Sequence, residues 1–312
     1  MIDPKVQNAP PIAHKILGLD RSTFVTSIVV PVIIAILTIA LTAWLTVWLT
    51  AKWRDRLRVK VMRKLSHQQF EELSALYCER IPDYERVPPN HLQAFLRRQH
   101  SAKSLHDFKR RLNRSTDPVH LLFVARTASG ICGFLKAIYI PEVRSLFIAY
   151  LVTSKGADYE ERTVSRQLLS RLFRACHGTV IQQVVYEICA ARGANYQAKA
   201  RLFQHHATAF GIKLRKIDAK YQQPEICSFD AGDCKLTTAA LYIAHLGSEA
   251  ERTWHSMSRD QYEKLVSSIY KNVYLMSYAL AEPQLTEKYR DFLHNVAKEL
   301  FAGIRTKTIE LR

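Results

Sequence analysis

The chain has 312 residues and a formal charge of +17 at pH 7, from 45 Lys and Arg against 28 Asp and Glu. Hydrophobic residues make up 48% and charged residues 23%, which is typical of globular chains and excludes a largely disordered protein. The 6 cysteines include no C-x-x-C pair, which excludes the common zinc-finger arrangement and predicts reduced thiols in a reducing compartment.

A stretch without a charged side chain lies between Arg21 and Lys52. Because about 20 apolar residues cross a bilayer, this stretch predicts a transmembrane helix over 22–51, after an N-terminal tail over 1–21. Basic residues are more numerous after the stretch than before it. This predicts a single-pass protein of the inner or plasma membrane with its C-terminal domain in the cytoplasm. A cleaved signal peptide and a buried core helix are the alternatives.

Strands and helices alternate along the rest of the chain. Alternating polarity predicts a strand over 57–64, and helical spacing predicts helices over 67–77 and 91–114. A three-stranded meander follows between 120 and 153. Next come a helix over 160–176, a strand over 180–189, a helix over 195–210 and strands over 212–217 and 236–246. The pattern predicts an α/β domain over 52–247.

A helical extension is predicted over 248–312. Ser258 and Gln261 have the spacing of a capping box, and Pro283 separates two apolar stripes. We expect this hairpin to pack on its own domain, with a homodimer interface or a lid over a substrate as alternatives. The first stripe comprises Tyr262, Leu265, Val266, Ile269, Val273, Met276 and Leu280.

The element order and several short motifs resemble the GNAT (GCN5-related N-acetyltransferase) superfamily over about 57–246. The resemblance implies a GNAT-like mixed twisted sheet flanked by helices, preceded by one transmembrane helix and followed by a C-terminal helical hairpin. The motifs are V-x-V-x-R-x-L-S from Val59, the glycines and Phe in Gly130 to Phe134, the strand FIAYLV, the pair Leu168-Leu169, Asn195-Tyr-Gln-Ala198 with Phe203, and Phe210-Gly211-Ile212.

In this family acetyl-CoA lies where two parallel strands diverge, and main-chain N–H groups at a helix N-terminus bind its pyrophosphate. The small positions of the family's loop fall on Thr163 and Ser165 here, so both of its glycines are missing. An ordinary helix start with acidic residues favoured by the helix dipole is the alternative. The resemblance implies cofactor contacts from Val152, Arg162, Thr163, Val164, Ser165, Arg166 and Asn195.

The implied reaction moves an acetyl group from acetyl-CoA to an unidentified amine. Glu187 is the candidate base, because burial in an apolar strand raises a carboxyl pKa; a salt bridge is the alternative. Tyr150 is a candidate for polarising a ligand, or else a packing residue. Phe203 lies near the position of the family's Tyr thiol donor, so His205, or its neighbour His206, is the candidate donor. No spacing predicts a metal site.

Basic charge is concentrated directly after the apolar stretch. Residues 51–115 hold 16 basic and 7 acidic residues, which predicts contact with anionic membrane lipid. Nucleic acid is not favoured as a partner, because no basic motif is interleaved with aromatic residues. The missing glycines and the missing Tyr leave a second function open, a non-catalytic GNAT-fold scaffold that binds a partner or lipid at the membrane.

Overall fold

The chain divides into two compact units, Met1–Arg56 and Leu57–Arg312. The structure is a computed structural model that describes residues 30–81, 86–87, 89–96, 102–127, 130–154, 158–189, 195–224, 236–246 and 255–312. The predicted N-terminal tail over 1–21 and the first residues of the predicted span, 22–29, lie outside the described residues.

The described part of the first unit is helix α1, Val30–Arg56. Its segment Val30–Trp48 has a mean hydropathy of 2.4, is entirely unburied, and is long and apolar enough to cross a membrane. A signal sequence or the core helix of a soluble protein meets the same criteria of length and composition. The hydroxyls of Thr38, Thr42 and Thr46 each donate to the carbonyl four residues earlier. Their polar groups are therefore satisfied within the helix, as an apolar surrounding requires.

The second unit is built on an 8-stranded mixed sheet with the order β1-β2-β3-β4-β5-β8-β6, and β7 pairs with β8. Of the ladders described, β4–β5 is parallel and the others are antiparallel. The predicted α/β class with a mixed sheet is confirmed. The strands are β1 Arg58–Val61, β2 Val119–Thr127, β3 Gly130–Ile140, β4 Ser145–Thr153, β5 Gln183–Cys189, β6 Leu214–Lys216, β7 Tyr221–Pro224 and β8 Leu236–His245, while β9 Ser256–Ser258 pairs with β10 Thr308–Glu310.

Helices cover both faces of the sheet, which explains the nearly continuous apolar runs of its central strands. In β2, Leu121 and Phe123 join the core on one face, and Leu122 and Val124 join the core on the other. The first face carries α4 Leu105–Leu112, α5 Asp158–Cys176 and α6 Asn195–Thr208. The second face carries α2 His67–Arg80, α3 Pro89–Leu96, α7 Arg259–Ile269, α8 Met276–Ala281 and α9 Thr286–Ala302.

Two serines begin helices on the second face. Ser66 before α2 and Ser258 before α7 each form a full capping box, with a glutamine three residues later. Each serine hydroxyl accepts the glutamine's main-chain N–H, and each glutamine side chain accepts the serine's N–H. The predicted box at Ser258 is therefore confirmed.

The single helix predicted over 91–114 is wrong. The chain forms two helices there, because α3 ends at Leu96 and α4 begins at Leu105. Before α4, the N–H of buried Ala102 donates to the carbonyl of His120 at 2.9 Å, and the hydroxyl of Ser104 caps α4. A hydrogen bond to the sheet and a new N-cap thus interrupt the series of main-chain hydrogen bonds that a single continuous helix would have.

The first apolar stripe of the C-terminal extension changes face partway along. A π-helical turn, Tyr270–Leu275, connects α7 to α8. Such a turn widens the helix by about one residue, which rotates the following residues by roughly 100°. Met276 and Leu280, predicted to continue the stripe, are therefore 38% and 51% exposed, whereas Ser277 and Tyr278 are buried.

Gly133 on β3 allows α5 to lie against the sheet at close range. A Cβ at this position would lie 2.7 Å from Val164 Cγ1 and 3.0 Å from the Val152 carbonyl oxygen. We expect Gly133→Ala to lower the free energy of unfolding by about 1 kcal/mol, measured by denaturant unfolding. Gly303→Ala is the control, since its Cβ would meet no atom closer than 3.4 Å. Equal losses in the two variants would contradict the close packing.

Candidate functional site

The parallel strands β4 and β5 pair over only part of their length. Their ladder runs from Ser145 opposite Gln183 to Ile148 opposite Tyr186 and has no further pair in the described strands. Beyond it, β4 stays paired with β3 as far as Thr153, and β5 stays paired with β8 as far as Cys189. The two strands therefore diverge, as the resemblance implied.

A β-bulge marks the point of divergence. Lys136 on β3 pairs with Tyr150 and its neighbour Ala137 pairs with Ile148, so Ala149 is the extra residue on β4. A bulge bends its strand and increases the local twist. Bending β4 immediately after its last pair with β5 opens the sheet at this edge.

A cavity of about 290 Å³ occupies the opening between the strands. Both diverging strand ends line it, Ala149–Thr153 from β4 and Glu187–Cys189 from β5. Ser165 on α5 and Phe203 on α6 line it from one face of the sheet, and His91 on α3 and Tyr274 on the π turn line it from the other. The cavity thus has two ends, on opposite faces of the sheet.

The carboxylate of Glu187 accepts hydrogen bonds from two phenols. Tyr221 on β7 donates to Oε2 at 2.7 Å, and Tyr274 donates to Oε1. Burial, and then the charge of Glu187, raise the pKa of both tyrosines well above the ordinary value. Both hydroxyls therefore keep their protons and act as donors. Two donated bonds favour the charged form of a carboxylate, so the two phenols stabilise a negative charge on Glu187.

Ser165 and His206 form a buried pair at the other end of the cavity. Ser165 Oγ lies 3.0 Å from His206 Nε2. Burial, followed by the charges of His205 and Arg166, lowers the pKa of His206 to about 4, so the ring is neutral at pH 7. Its Nδ1 is buried and has no hydrogen-bond partner among the described residues. A nucleophilic serine needs a stronger base that a third group orients, so this pair holds Ser165 in place rather than activating it.

An aromatic stack completes this end of the cavity. Tyr186 on β5 lies between Phe203, at a ring-centroid distance of 4.0 Å, and Tyr242 on β8, at 5.2 Å. Tyr186 and Phe203 both line the cavity. Phe203 thus lies at the place where the family resemblance implied a thiol donor, and it offers an apolar ring.

The resemblance implied this arrangement. The sheet is mixed, its described parallel pair diverges at a bulge, and a helix follows the first strand of that pair. The second unit has a GNAT-like fold.

No protein-family model matches the chain, and no curated protein matches it. Among solved structures it is similar to a probable acetyltransferase from Staphylococcus epidermidis, at 11% identity and a TM-score of 0.41, over 61% of this chain and 99% of that one. It is also similar to the ribosomal-protein-S18-alanine N-acetyltransferase from Escherichia coli, at 11% identity and a TM-score of 0.37, over 62% and 97%. An aminoglycoside 6'-acetyltransferase type Ii gives 9% identity and a TM-score of 0.41, over 62% and 99%.

Four of the predicted site residues meet at the cavity of the GNAT-like fold. Tyr150, Val152, Ser165 and Glu187 all line it. Tyr150 packs edge-on against Tyr77, at a ring-centroid distance of 5.4 Å.

Four other predicted residues do not line the cavity. Val164 is buried against β3, Thr163 is half-buried, and Arg166 and His205 are exposed. None of these four belongs to the lining. The side chains of Arg162 and Asn195 lie outside the described residues. In the described part of the chain, no group of three or more His, Cys, Asp or Glu could hold a metal ion.

Sequence reasoning missed the residues that bind Glu187 or line the cavity at the second face of the sheet. Tyr221, Tyr274 and His91 belong to segments that are distant from Glu187 in the chain, and no local pattern connects them. One signal was available in the extension. Tyr270, Tyr274 and Tyr278 follow each other at intervals of four residues, which places phenols along one side of a helix.

Proposed function

We propose that the chain is a membrane-anchored N-acyltransferase that moves an acetyl group from acetyl-CoA to an amine. One observation carries this proposal: the cavity between the diverging strands contains the carboxylate of Glu187, held by two phenols. A channel through the sheet admits a thioester from one face and an amine from the other. A half-buried carboxylate at the meeting point attracts a cationic acceptor.

The described residues fit a pantetheine arm. Beyond Ile148 the main chain of β4 no longer pairs with β5, so its N–H and C=O groups face the cavity side of the strand. Ser165, fixed by His206, adds a hydroxyl within the first half of α5. The first turn of α5, which begins at Asp158 shortly after β4, has free main-chain N–H groups for a diphosphate, against the negative charges of Asp158, Glu160 and Glu161. We therefore propose Val152, Ser165 and the N-terminal turns of α5, including Arg162, Thr163, Val164 and Arg166, as the acetyl-CoA contacts. Asn195 remains part of this proposed set.

The acyl transfer assigns roles to the lining residues. The amine nitrogen forms a bond to the thioester carbon, and the carbon–sulfur bond breaks. Glu187 accepts the proton that the attacking nitrogen loses and passes it to the departing sulfur, because His205 lies outside the lining. Tyr150 polarises the thioester carbonyl, together with the β4 main chain near Val152.

The membrane part of the proposal concerns α1 and the residues that follow it. The helix meets the length and hydropathy of a span, and the net positive charge over 51–115 suits an anionic lipid surface on the cytoplasmic side. We propose a single-pass protein of the inner or plasma membrane, with membrane lipid as its neighbour and the GNAT-like unit in the cytoplasm.

Calorimetric titration of the full chain in detergent with acetyl-CoA tests the cofactor binding that the proposed activity requires. We expect a dissociation constant between about 1 μM and 1 mM, and at least tenfold weaker binding by Ser165→Asp, whose charge repels a diphosphate. Ser170→Asp, on the same helix, is the matched control and should bind as the wild type does. Thermal unfolding of both variants shows whether they fold. The absence of heat at millimolar acetyl-CoA would refute the proposed acetyltransferase activity.

A second candidate function rests on Phe203, which is stacked on Tyr186 where a thiol donor was expected. A GNAT-like module that has lost acyl transfer would present the same surface as a scaffold at the membrane. This function predicts that Ser165→Asp leaves the cellular role of the protein intact. Loss of that role in a variant that still folds would count against the scaffold.

A further inference from the structure

The acceptor end of the cavity contains a second titratable side chain, His91. Its imidazole is 5% exposed and lines the same cavity as Glu187. His91 Nε2 lies 3.5 Å from Glu282 Oε1, and the ring lies against Tyr278 at a centroid distance of 5.6 Å. A nearly buried imidazole that faces both a cavity and a carboxylate has the arrangement of an oriented proton acceptor.

Glu282 connects this imidazole to the outside of the protein. Its side chain is 20% exposed, four times the exposed fraction of the His91 side chain. The residue directly follows α8, where its N–H donates to the Tyr278 carbonyl, and its Oε2 accepts a hydrogen bond from Gln284 at 2.9 Å. The carboxylate is therefore held in place between the cavity wall and water, and a proton on His91 has a short route to solvent.

Acylation of a basic amine requires two protons to leave the nitrogen. An alkyl amine with a pKa of about 10 arrives as an ammonium at neutral pH and has no lone pair for attack. One proton must leave before the nitrogen attacks the thioester, and a second leaves as the amide forms. The proposed function gives the second proton to Glu187 and then to the sulfur, so the first proton needs another acceptor.

We propose that His91 accepts this first proton and that Glu282 carries it to water. The ammonium becomes a neutral amine, the imidazole becomes an imidazolium, and transfer through Glu282 to solvent restores the neutral ring. Atoms and charge balance without any further reactant. This inference rests on the proposed function, and it narrows the acceptors to amines that are protonated at neutral pH.

Several other groups surround His91. Arg80 and Arg86 line the cavity from the end of α2 and the segment after it, and Glu187 and Tyr274 line it from β5 and the π turn. Tyr278 and Glu282 approach from α8 and its end. The two arginines disfavour a lasting positive charge on the imidazole, which favours onward transfer of the proton to Glu282.

The test compares His91→Gln and Glu282→Gln with the wild type. The full chain in detergent receives acetyl-CoA and one of three amines, spermidine, lysine ethyl ester or a glycyl peptide, and thiol release gives kcat/KM from pH 6 to pH 10. We expect each variant to lose about tenfold at pH 7 and to approach wild-type rates near pH 10, where about half or more of the amine is already neutral. Hydroxylamine, which is neutral at pH 7, should react equally with variant and wild type. His67→Gln is the matched control, because His67 forms a similar pair with Glu71 at 3.8 Å but is 86% exposed.

A second measurement does not depend on turnover. The ¹³Cε1 signal of His91, identified by its loss in His91→Gln, should shift when spermidine is added without acetyl-CoA, because the bound ammonium donates a hydrogen bond to the neutral ring. A loss of rate that is equal at pH 7 and pH 10 would show a merely structural His91 and overturn the proposal, as would unchanged rates. Wild-type protein with no turnover on any amine would instead overturn the proposed function, and the role of His91 with it.

Discussion

Replacing Glu187 with Gln is expected to reduce kcat for acetyl transfer by about 100-fold or more, the usual contribution of a positioned proton acceptor. The amide occupies the same volume. Its single oxygen accepts from one of the phenols of Tyr221 and Tyr274, and its NH2 group can donate to the oxygen of the other, so the wall of the cavity stays in place. It has no negative charge to attract an ammonium and no site to accept the proton that the attacking nitrogen loses as the amide forms. Steady-state kinetics with acetyl-CoA and the best amine substrate measure the change.

Glu142→Gln is the matched control for this variant. Glu142 is also a carboxylate that accepts side-chain hydrogen bonds from the C-terminal helices, from Ser268, Lys271 and Asn272. It does not belong to the described lining of the cavity. We expect this substitution to affect stability and to leave kcat unchanged. A wild-type kcat in Glu187→Gln would remove Glu187 from the chemistry.

Tyr274→Phe is expected to lower the free energy of unfolding by about 1.5–3 kcal/mol, the range for a hydrogen bond to a charged group. The variant leaves the Glu187 carboxylate with one phenol donor, from Tyr221, in a site where burial is costly for charge. The raised pKa of Tyr274 means that the wild-type hydroxyl donates this bond across the whole neutral range. Denaturant unfolding at pH 7 measures the loss.

Tyr270→Phe provides a comparison on the same π turn. Its hydroxyl donates to the neutral main-chain carbonyl of Gln222 at 2.6 Å, and its ring is equally buried. A bond to a neutral acceptor contributes about 0.5–1.5 kcal/mol, so we expect a smaller loss than for Tyr274→Phe. Losses of the same size in the two variants would show that the charge of Glu187 does not matter to the fold.

Local patterns in the sequence were enough to predict most strands of the sheet and most of its helices. Ser258 with Gln261 predicted the start of α7, and the apolar runs between 120 and 153 predicted β2, β3 and β4. The divergence of β4 and β5 followed from the family resemblance, since the bulge at Ala149 has no signature of its own. The same resemblance named Tyr150, Val152, Ser165 and Glu187, which all line the cavity.

The features that the sequence did not predict depend on contacts between distant parts of the chain. The break between α3 and α4 follows from a hydrogen bond between Ala102 and His120 on the sheet, which no window of helical spacing contains. The π turn shifts the buried side of the extension, so a regular period placed Met276 and Leu280 in the core. Because the sequence does not predict this shift, the phenol of Tyr274 could not be assigned to the cavity wall from the sequence.

The wall that Tyr274 provides has a consequence for biosynthesis. Tyr274 follows Glu187 by 87 positions, and a ribosome adds about 5–20 residues per second. The strand carrying Glu187 therefore leaves the ribosome about 4–17 s before its second phenol partner. During that interval the nascent domain lacks one side of the cavity around Glu187, and we expect the cavity to be complete only after the last helices have docked.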